Sequence, residues 1–73
     1  ELCALGKAIN HYQSGLAYTD ATLAFWANCD ASALSKHKHG VNSPSLEKFD
    51  SYAHALKISS TELMAKREEF ENE

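Results

Sequence analysis

The sequence predicts an all-α fold, a compact five-helix domain spanning residues 1–73. Apolar residues recur at spacings of three and four, as they do on one face of an amphipathic helix. Capping residues and glycines divide the chain into short segments, and none of these alternates apolar and polar residues as a strand does. A chain of 73 residues is long enough for one small domain.

The first helix is predicted over residues 2–14. Gly15 lies just beyond this segment and suits a helix exit, because glycine tolerates the left-handed backbone found there. The apolar face of the segment consists of Leu2, Leu5, Ile9 and Tyr12.

The second helix is predicted to begin near Thr19, a suitable N-cap. Asp20 then stands in the first turn, where a negative charge is favourable. The inner face of this helix is formed by Leu23, Ala24 and Ala27.

A tight corner at residues 28–30 separates the second and third helices. Asn28 can adopt the left-handed backbone that ends one helix, and Asp30 can cap the next. The third helix is predicted over residues 31–39, ending at Gly40. Leu34 is its only large apolar residue, so we expect one long side of this helix to face solvent.

The last two helices follow a short loop. Ser43 is predicted to cap the fourth helix, with Pro44 at its first position, where the missing N–H costs nothing. Residues 59–62 read as a capping box for the fifth helix. The apolar residues of the two helices are Leu46, Phe49, Tyr52, Ala53 and Leu56, then Leu63, Met64 and Phe70.

Composition excludes several classes of protein. With 44% hydrophobic and 23% charged residues, the chain is typical of a globular domain rather than a disordered segment. No apolar run approaches the ~20 residues that span a bilayer, and no signal segment opens the chain, so we expect no membrane association. Cys3 and Cys29 form no Cys-x-x-Cys motif, and we expect both to be reduced and packed.

Enzymatic chemistry is not indicated. The sequence has no nucleophile elbow, no metal-ligand spacing and no glycine-rich phosphate loop. His37 and His39 point to different sides of a helix and cannot share a metal ion. We therefore expect no catalytic residue, metal or cofactor.

Residues 19–40 form a helix-turn-helix pattern, two helices joined by a three-residue corner. With this pattern in place, the chain resembles the Cro/C1-type family (the xenobiotic-response-element family) of lambdoid phage repressors and their bacterial and plasmid relatives. The segments that carry the resemblance are residues 5–9, 23–24, 28–30, 34–36 with Gly40, 43–47, 52–56, 58–59 and 62–63. The resemblance implies a lambda-repressor-like fold in a bacterial or phage-encoded cytoplasmic protein.

The resemblance also implies a DNA-binding surface, since the third helix of the family lies in the major groove. Lysine can donate to guanine, serine can donate or accept, and alanine can contact a thymine methyl. The base contacts implied by position are Ala31, Ser32, Ala33, Ser35 and Lys36. The implied phosphate contacts are Thr19, His39, Asn42 and Ser43. Protonation of His39 beside a phosphate would strengthen binding as the pH falls.

The net charge of −3 is unusual for a DNA-binding protein, but glutamates in the C-terminal segment account for it. The remainder is balanced and carries one basic cluster, residues 36–39. With two or three cations per subunit facing DNA, a dimer would give a log–log salt slope of about −4 to −5.

Five positions depart from the family pattern. Asp20 replaces a glutamine, and its charge would oppose a nearby phosphate. Gln13 and Lys38 occupy the positions of a buried Arg–Glu pair, which predicts a neutral or differently oriented contact. His37 stands at the usual apolar position of the third helix, and Asn28 replaces the glycine of the corner.

Phe25 and Trp26 are adjacent on the second helix, beyond its inner face. Either at least one ring packs into the core against Tyr18 or the first helix, or the pair forms a partner surface, because aromatic anchors dominate interfaces. Family members often dimerise through the last helix or the loop before it. The candidate dimer or partner residues are Phe25, Trp26, Leu63, Met64 and Phe70, although the last three could instead close the core.

The sequence therefore predicts a DNA-binding transcriptional regulator, most simply a repressor that binds a palindromic operator as a homodimer. Two alternatives stay open. One is a protein-interaction module that keeps the repressor fold with weak DNA binding. The other is an antitoxin, which would bind both DNA and a toxin.

Overall fold

The computed structural model describes all 73 residues and contains five helices. Helix α1 packs against α3 and α5, α2 packs against α3 and α4, and α4 packs against α5. No helix has both the length and the apolar character needed to cross a membrane. The helices are α1 (Ala4–Gly15), α2 (Asp20–Trp26), α3 (Ala31–Lys38), α4 (Leu46–Ala55) and α5 (Ser60–Glu71). The predicted all-α, five-helix class is confirmed.

One apolar core holds the helices together. Its fully buried side chains include Leu23 of α2 and Leu34 of α3, which join the helix-turn-helix unit to the rest of the molecule. The predicted inner face of α2 is buried as a whole, including Ala24 and Ala27. The largest fully buried side chains are Tyr52, Ile9, Leu23, Leu34 and Leu63.

Three predicted N-caps and the predicted corner are present. The Thr19 hydroxyl accepts from the N–H of Thr22 at 3.1 Å. The Asp30 carboxylate accepts from the N–H of Ala33 at 2.7 Å, and Ser59 caps α5. Asn28 has φ 59°, the left-handed backbone that ends α2.

Two predicted helix boundaries were wrong. Helix α1 continues through Gly15, and the left-handed turn that follows falls at Ala17, with φ 58°. Helix α4 is capped by Ser45, whose hydroxyl accepts from the N–H of Lys48 at 3.1 Å. Leu46 is therefore the first residue of α4, where it lies beyond the core and is 79% exposed.

Helix α1 approaches the end of α3 very closely at Gly6. The N–H of Cys3 donates to the Lys38 carbonyl oxygen at 2.9 Å. A Cβ atom at Gly6 would lie 2.1 Å from the same oxygen, so only glycine fits there without a shift of the backbone. This contact fixes the C-terminal end of α3 against α1.

Candidate nucleic-acid interface

Helix α3 presents a polar face to solvent. Ser32, Ser35 and Lys36 are exposed, as is Ala31 at its start, while Ala33 is partly buried. These are the five predicted base-contact residues, so all of them lie wholly or partly at the surface. Their short side chains would require close approach to a duplex.

The opposite face of α3 anchors the helix. Leu34 is fully buried, Lys38 is 5% exposed, and His37 is partly buried. The basic cluster is thus divided: Lys36 and His39 face solvent, whereas His37 and Lys38 turn into the protein. Sequence spacing alone did not reveal this division.

Asp20 joins α1 and α3 through a single oxygen. Its Oδ1 accepts from Gln13 Nε2 at 2.7 Å and from Lys38 Nζ at 2.8 Å. The hydrogen bond from Gln13, followed by that from Lys38, lowers the pKa of Asp20 below its ordinary value. The carboxylate is therefore paired with an ammonium group, which offsets the negative charge that was expected to oppose a nearby phosphate.

This three-residue contact, the Gln13–Asp20–Lys38 cluster, occupies the positions of the family's Arg–Glu pair. The expected neutral or differently oriented contact is present, with the cation supplied by α3 and the anion supplied by α2. Because Asp20 begins α2 and Lys38 ends α3, the cluster sets the start of one helix beside the end of the other.

Lys48 of α4 stabilises the corner between α2 and α3. Its Nζ donates to the carbonyl oxygens of Ala27 at 3.2 Å and Asn28 at 3.1 Å. A cation at a helix C-terminus satisfies carbonyls that have no partner inside the helix and is favoured by the helix dipole. The corner is thus held from outside the helix-turn-helix segment.

A polar contact also crosses the core behind α3. The Tyr52 hydroxyl lies 2.5 Å from His37 Nδ1 and 3.7 Å from Cys29 Sγ. Burial, and then the charge of Lys48, lowers the pKa of His37, so its neutral ring can accept from the hydroxyl. Burial, and then the hydrogen bond with Cys29, raises the pKa of Tyr52.

The four predicted phosphate-contact residues are all exposed. The Thr19 hydroxyl is already used as the cap of α2. His39 Nδ1 donates to the Glu1 carbonyl oxygen at 3.0 Å. Asn42 and Ser43 lie in the loop after α3.

The division of the basic cluster lowers the charge available to DNA. Lys38 pairs with Asp20, and Lys48 binds two carbonyl oxygens. Lys36 and His39 remain exposed on the α3 surface. A dimer would then neutralise roughly two to four phosphates, which changes the expected salt slope to about −2 to −4.

The predicted partner residues fall into two groups. Phe25 is 73% exposed and Trp26 is 60% exposed, so neither ring packs into the core. Met64 is 39% exposed and Phe70 is partly buried against the core. Leu63 is completely buried, which corrects its assignment as a surface residue: it faces the core between α5 and its neighbours.

Both cysteines are free thiols, as expected, and both are partly buried. Cys3 Sγ donates to the His37 carbonyl oxygen at 3.4 Å. No three His, Cys, Asp or Glu side chains come together in a way that could hold a metal ion. The chemistry available at this surface is hydrogen bonding and charge.

The fold and the exposed α3 define a helix-turn-helix protein. The chain is similar to the restriction-modification controller protein C.AhdI from Aeromonas hydrophila, with 27% identity over 82% of this chain and 91% of that chain and a TM-score of 0.78. It is also similar to the clp gene regulator ClgR from C. glutamicum, with 26% identity over 90% of this chain and 86% of that chain and a TM-score of 0.82. No protein-family model and no curated protein matches the chain.

The resemblance to Cro/C1-type regulators and the lambda-repressor-like fold are therefore confirmed. The two similar structures are described as a controller protein and a gene regulator, which is the class of function predicted from the sequence.

Proposed function

We propose that this protein is a sequence-specific DNA-binding transcriptional regulator, a repressor that acts as a homodimer on a palindromic operator. The observation that carries the proposal is the orientation of α3. Its polar face, with Ser32, Ser35 and Lys36, is open to solvent, while Leu34 and Lys38 hold the helix in place. The similarity to two regulators supports the same conclusion.

In this proposal, the N-terminal part of α3 enters the major groove. Lys36 donates to the O6 and N7 edge of guanine, and Ser32 and Ser35 bind base edges or water. The methyl groups of Ala31 and Ala33 contact thymine. Thr19, His39, Asn42 and Ser43 border the groove and bind phosphates, which position the helix without reading sequence.

The short side chains and few cations define the expected binding behaviour. Non-specific affinity is weak, because the acidic remainder of the chain repels the duplex and few phosphates are neutralised. Specific binding then depends on close surface complementarity between α3 and its site.

Selection of bound sequences from random duplexes, followed by affinity measurements at several salt concentrations, tests the proposal. We expect enrichment of a two-fold symmetric sequence with half-sites about 34 Å apart and a salt slope of about −2 to −4. Recovery of no preferred sequence at low salt would overturn the proposal.

A second candidate function is a protein-interaction module or antitoxin with this fold. The exposed Phe25 and Trp26 and the net charge of −3 favour it. The same selection separates the two functions, because an interaction module without DNA binding would enrich no sequence, whereas an antitoxin would enrich an operator and also bind a toxin.

A further inference from the structure

Two adjacent aromatic side chains project from the end of α2. Phe25 and Trp26 are 73% and 60% exposed, and their rings meet edge to face with centroids 5.2 Å apart. Exposed aromatic rings are costly to hydrate, and contiguous apolar surface of this kind marks interaction sites.

Trp26 lines two neighbouring grooves. One groove, of about 630 Å³, is also lined by Tyr18 and by Lys57 and Ile58 of the α4–α5 turn. The second, of about 560 Å³, is also lined by residues of α4 and the same turn. The surface thus combines two projecting rings with adjoining concave regions.

We propose that this surface, which we call the Phe25–Trp26 ridge, is where a second copy of the chain binds. The inference deepens the proposed function and rests on it, because it names the contact that forms the homodimer. A surface with both a ridge and grooves can match itself about a two-fold axis, with the ridge of each copy seated in a groove of the other.

The charges that border the first groove favour the same occupant. Lys57 and Glu62 border the groove of Tyr18, and both are exposed. A two-fold axis through this groove can set Lys57 of each copy against Glu62 of the other. A patch of a single sign would instead repel its copy.

The two exposed rings supply part of the area that a dimer needs. A stable interface buries about 800 Å² on each partner, and this molecule has 4455 Å² of accessible surface. Aromatic side chains bury 150–250 Å² each, so the exposed parts of Phe25 and Trp26 supply roughly a third of the required area. Tyr18 and Ile58, which are half-buried beside Trp26, add to this area.

The dimensions of the subunit agree with binding of two copies to one duplex. The subunit measures 30 × 24 × 23 Å between Cα atoms. The centres of two copies placed side by side are separated by about one subunit width, 23–30 Å, which is of the same order as one helical turn of DNA, ~34 Å. Helix α3 begins five positions after Trp26, so the proposed surface and the proposed DNA-binding helix belong to the same helix-turn-helix unit.

Sedimentation equilibrium of the DNA-free chain tests this proposal separately from DNA binding. We expect a dimer whose dissociation constant rises at least ~30-fold in Trp26→Ala, as for the truncation of a hot spot, with a smaller rise in Phe25→Ala. The matched controls are Leu46→Ala and Met64→Ala, which truncate exposed apolar side chains elsewhere. Both controls should dimerise like the unmodified chain.

Circular dichroism checks that each variant is folded. We expect folding to be retained because the replaced side chains are exposed. A charge exchange gives a second readout: Lys57→Glu should weaken the dimer, and Lys57→Glu with Glu62→Lys should restore it. A chain that is monomeric at all concentrations would overturn the proposal. So would dimerisation that withstands Trp26→Ala or is lost in Met64→Ala. Binding of Trp26→Ala to a single half-site, measured separately, reports on the proposed function alone.

Discussion

Lys38 and Asp20 form an ion pair in which the two partners differ greatly in burial. Their charged atoms lie 2.8 Å apart, and the lysine side chain is 6% exposed whereas the aspartate side chain is 56% exposed. The cost of removing charge from water therefore falls mainly on the lysine. Replacing one partner should therefore change the free energy of unfolding by a different amount from replacing the other.

Replacing Asp20 by asparagine should destabilise the protein more than replacing Lys38 by methionine. Asp20→Asn leaves a buried ammonium without its counter-charge, which should cost ~1–3 kcal/mol, below the value for a fully buried pair because Asp20 is half exposed. Lys38→Met fills the same space with an apolar chain and leaves Asp20 in contact with water and Gln13. Urea unfolding of both variants measures the difference, and equal or reversed effects would contradict it.

Gly6→Ala should destabilise the fold by at least about 2 kcal/mol, since the new Cβ would lie 2.1 Å from the Lys38 carbonyl oxygen. The obstacle is backbone, so no side-chain rotation can relieve it. Gly15→Ala is the matched control in the same helix, with nothing within 4 Å of its Cβ. It should leave stability unchanged or raise it by ~0.5–1 kcal/mol. Thermal or urea unfolding of the two variants decides the matter.

Stability should fall as the pH drops below about 6.5, the ordinary pKa of histidine. Burial lowers the pKa of His37 in the folded state, so the folded protein binds fewer protons than the unfolded chain in this range. The contribution of His37 is present above the unfolded pKa and is lost as the pH falls towards the folded one. Asp20, whose pKa is lowered from 3.8, loses its contribution only in more acidic solution.

Urea midpoints measured between neutral and mildly acidic pH test this expectation. His37→Phe should flatten the dependence, although its loss of the Tyr52 contact also lowers overall stability. His54→Gln, at an exposed position on α4, is the control and should keep the full dependence. If the urea midpoint of His37→Phe depended on pH as strongly as that of the unmodified chain, His37 would be excluded as the source of the pH dependence.

Lys36→Ala should weaken operator binding by ~1–3 kcal/mol and relax the preference at one base pair. His39→Ala should instead weaken binding to all sequences alike, because a phosphate contact carries no sequence information. Lys66→Ala, on α5 and paired with Glu69, removes the same charge away from α3 and should have little effect. Gel shifts on the selected operator and on a shuffled duplex provide the comparison. Retention of full affinity in both α3-surface variants would show that the docking surface is wrong.

Local signals predicted much of the helix-turn-helix unit. Thr19, Asn28 and Asp30 act on neighbouring backbone groups, so their residue types were enough to place the corner and two caps. The same local reasoning could not decide whether Ser43 or Ser45 caps α4. Both are competent caps, and the contact of Lys48 with the corner depends on where α4 begins.

Contacts between helices were not predicted from the sequence. The Gln13–Asp20–Lys38 cluster joins three helices, and no periodicity within one helix reveals it. The exit of α1 at Ala17 likewise carries no glycine or asparagine to mark it. Residues 36–39 point to different sides of α3. The packing of α3 against its neighbours decides which of them are buried, and the sequence of α3 alone does not give that packing.

Lys48 has a consequence for protein engineering. A residue of α4 holds the carbonyl groups at the corner, so residues 19–40 carry only part of their geometry with them, the Asp20–Lys38 ion pair. Grafting this segment onto a foreign scaffold would leave the corner between the two helices without its support. A grafted segment that still binds DNA would need a lysine ammonium supplied by a third helix of the scaffold. It would also need a glycine in the scaffold helix that faces the last turn of α3.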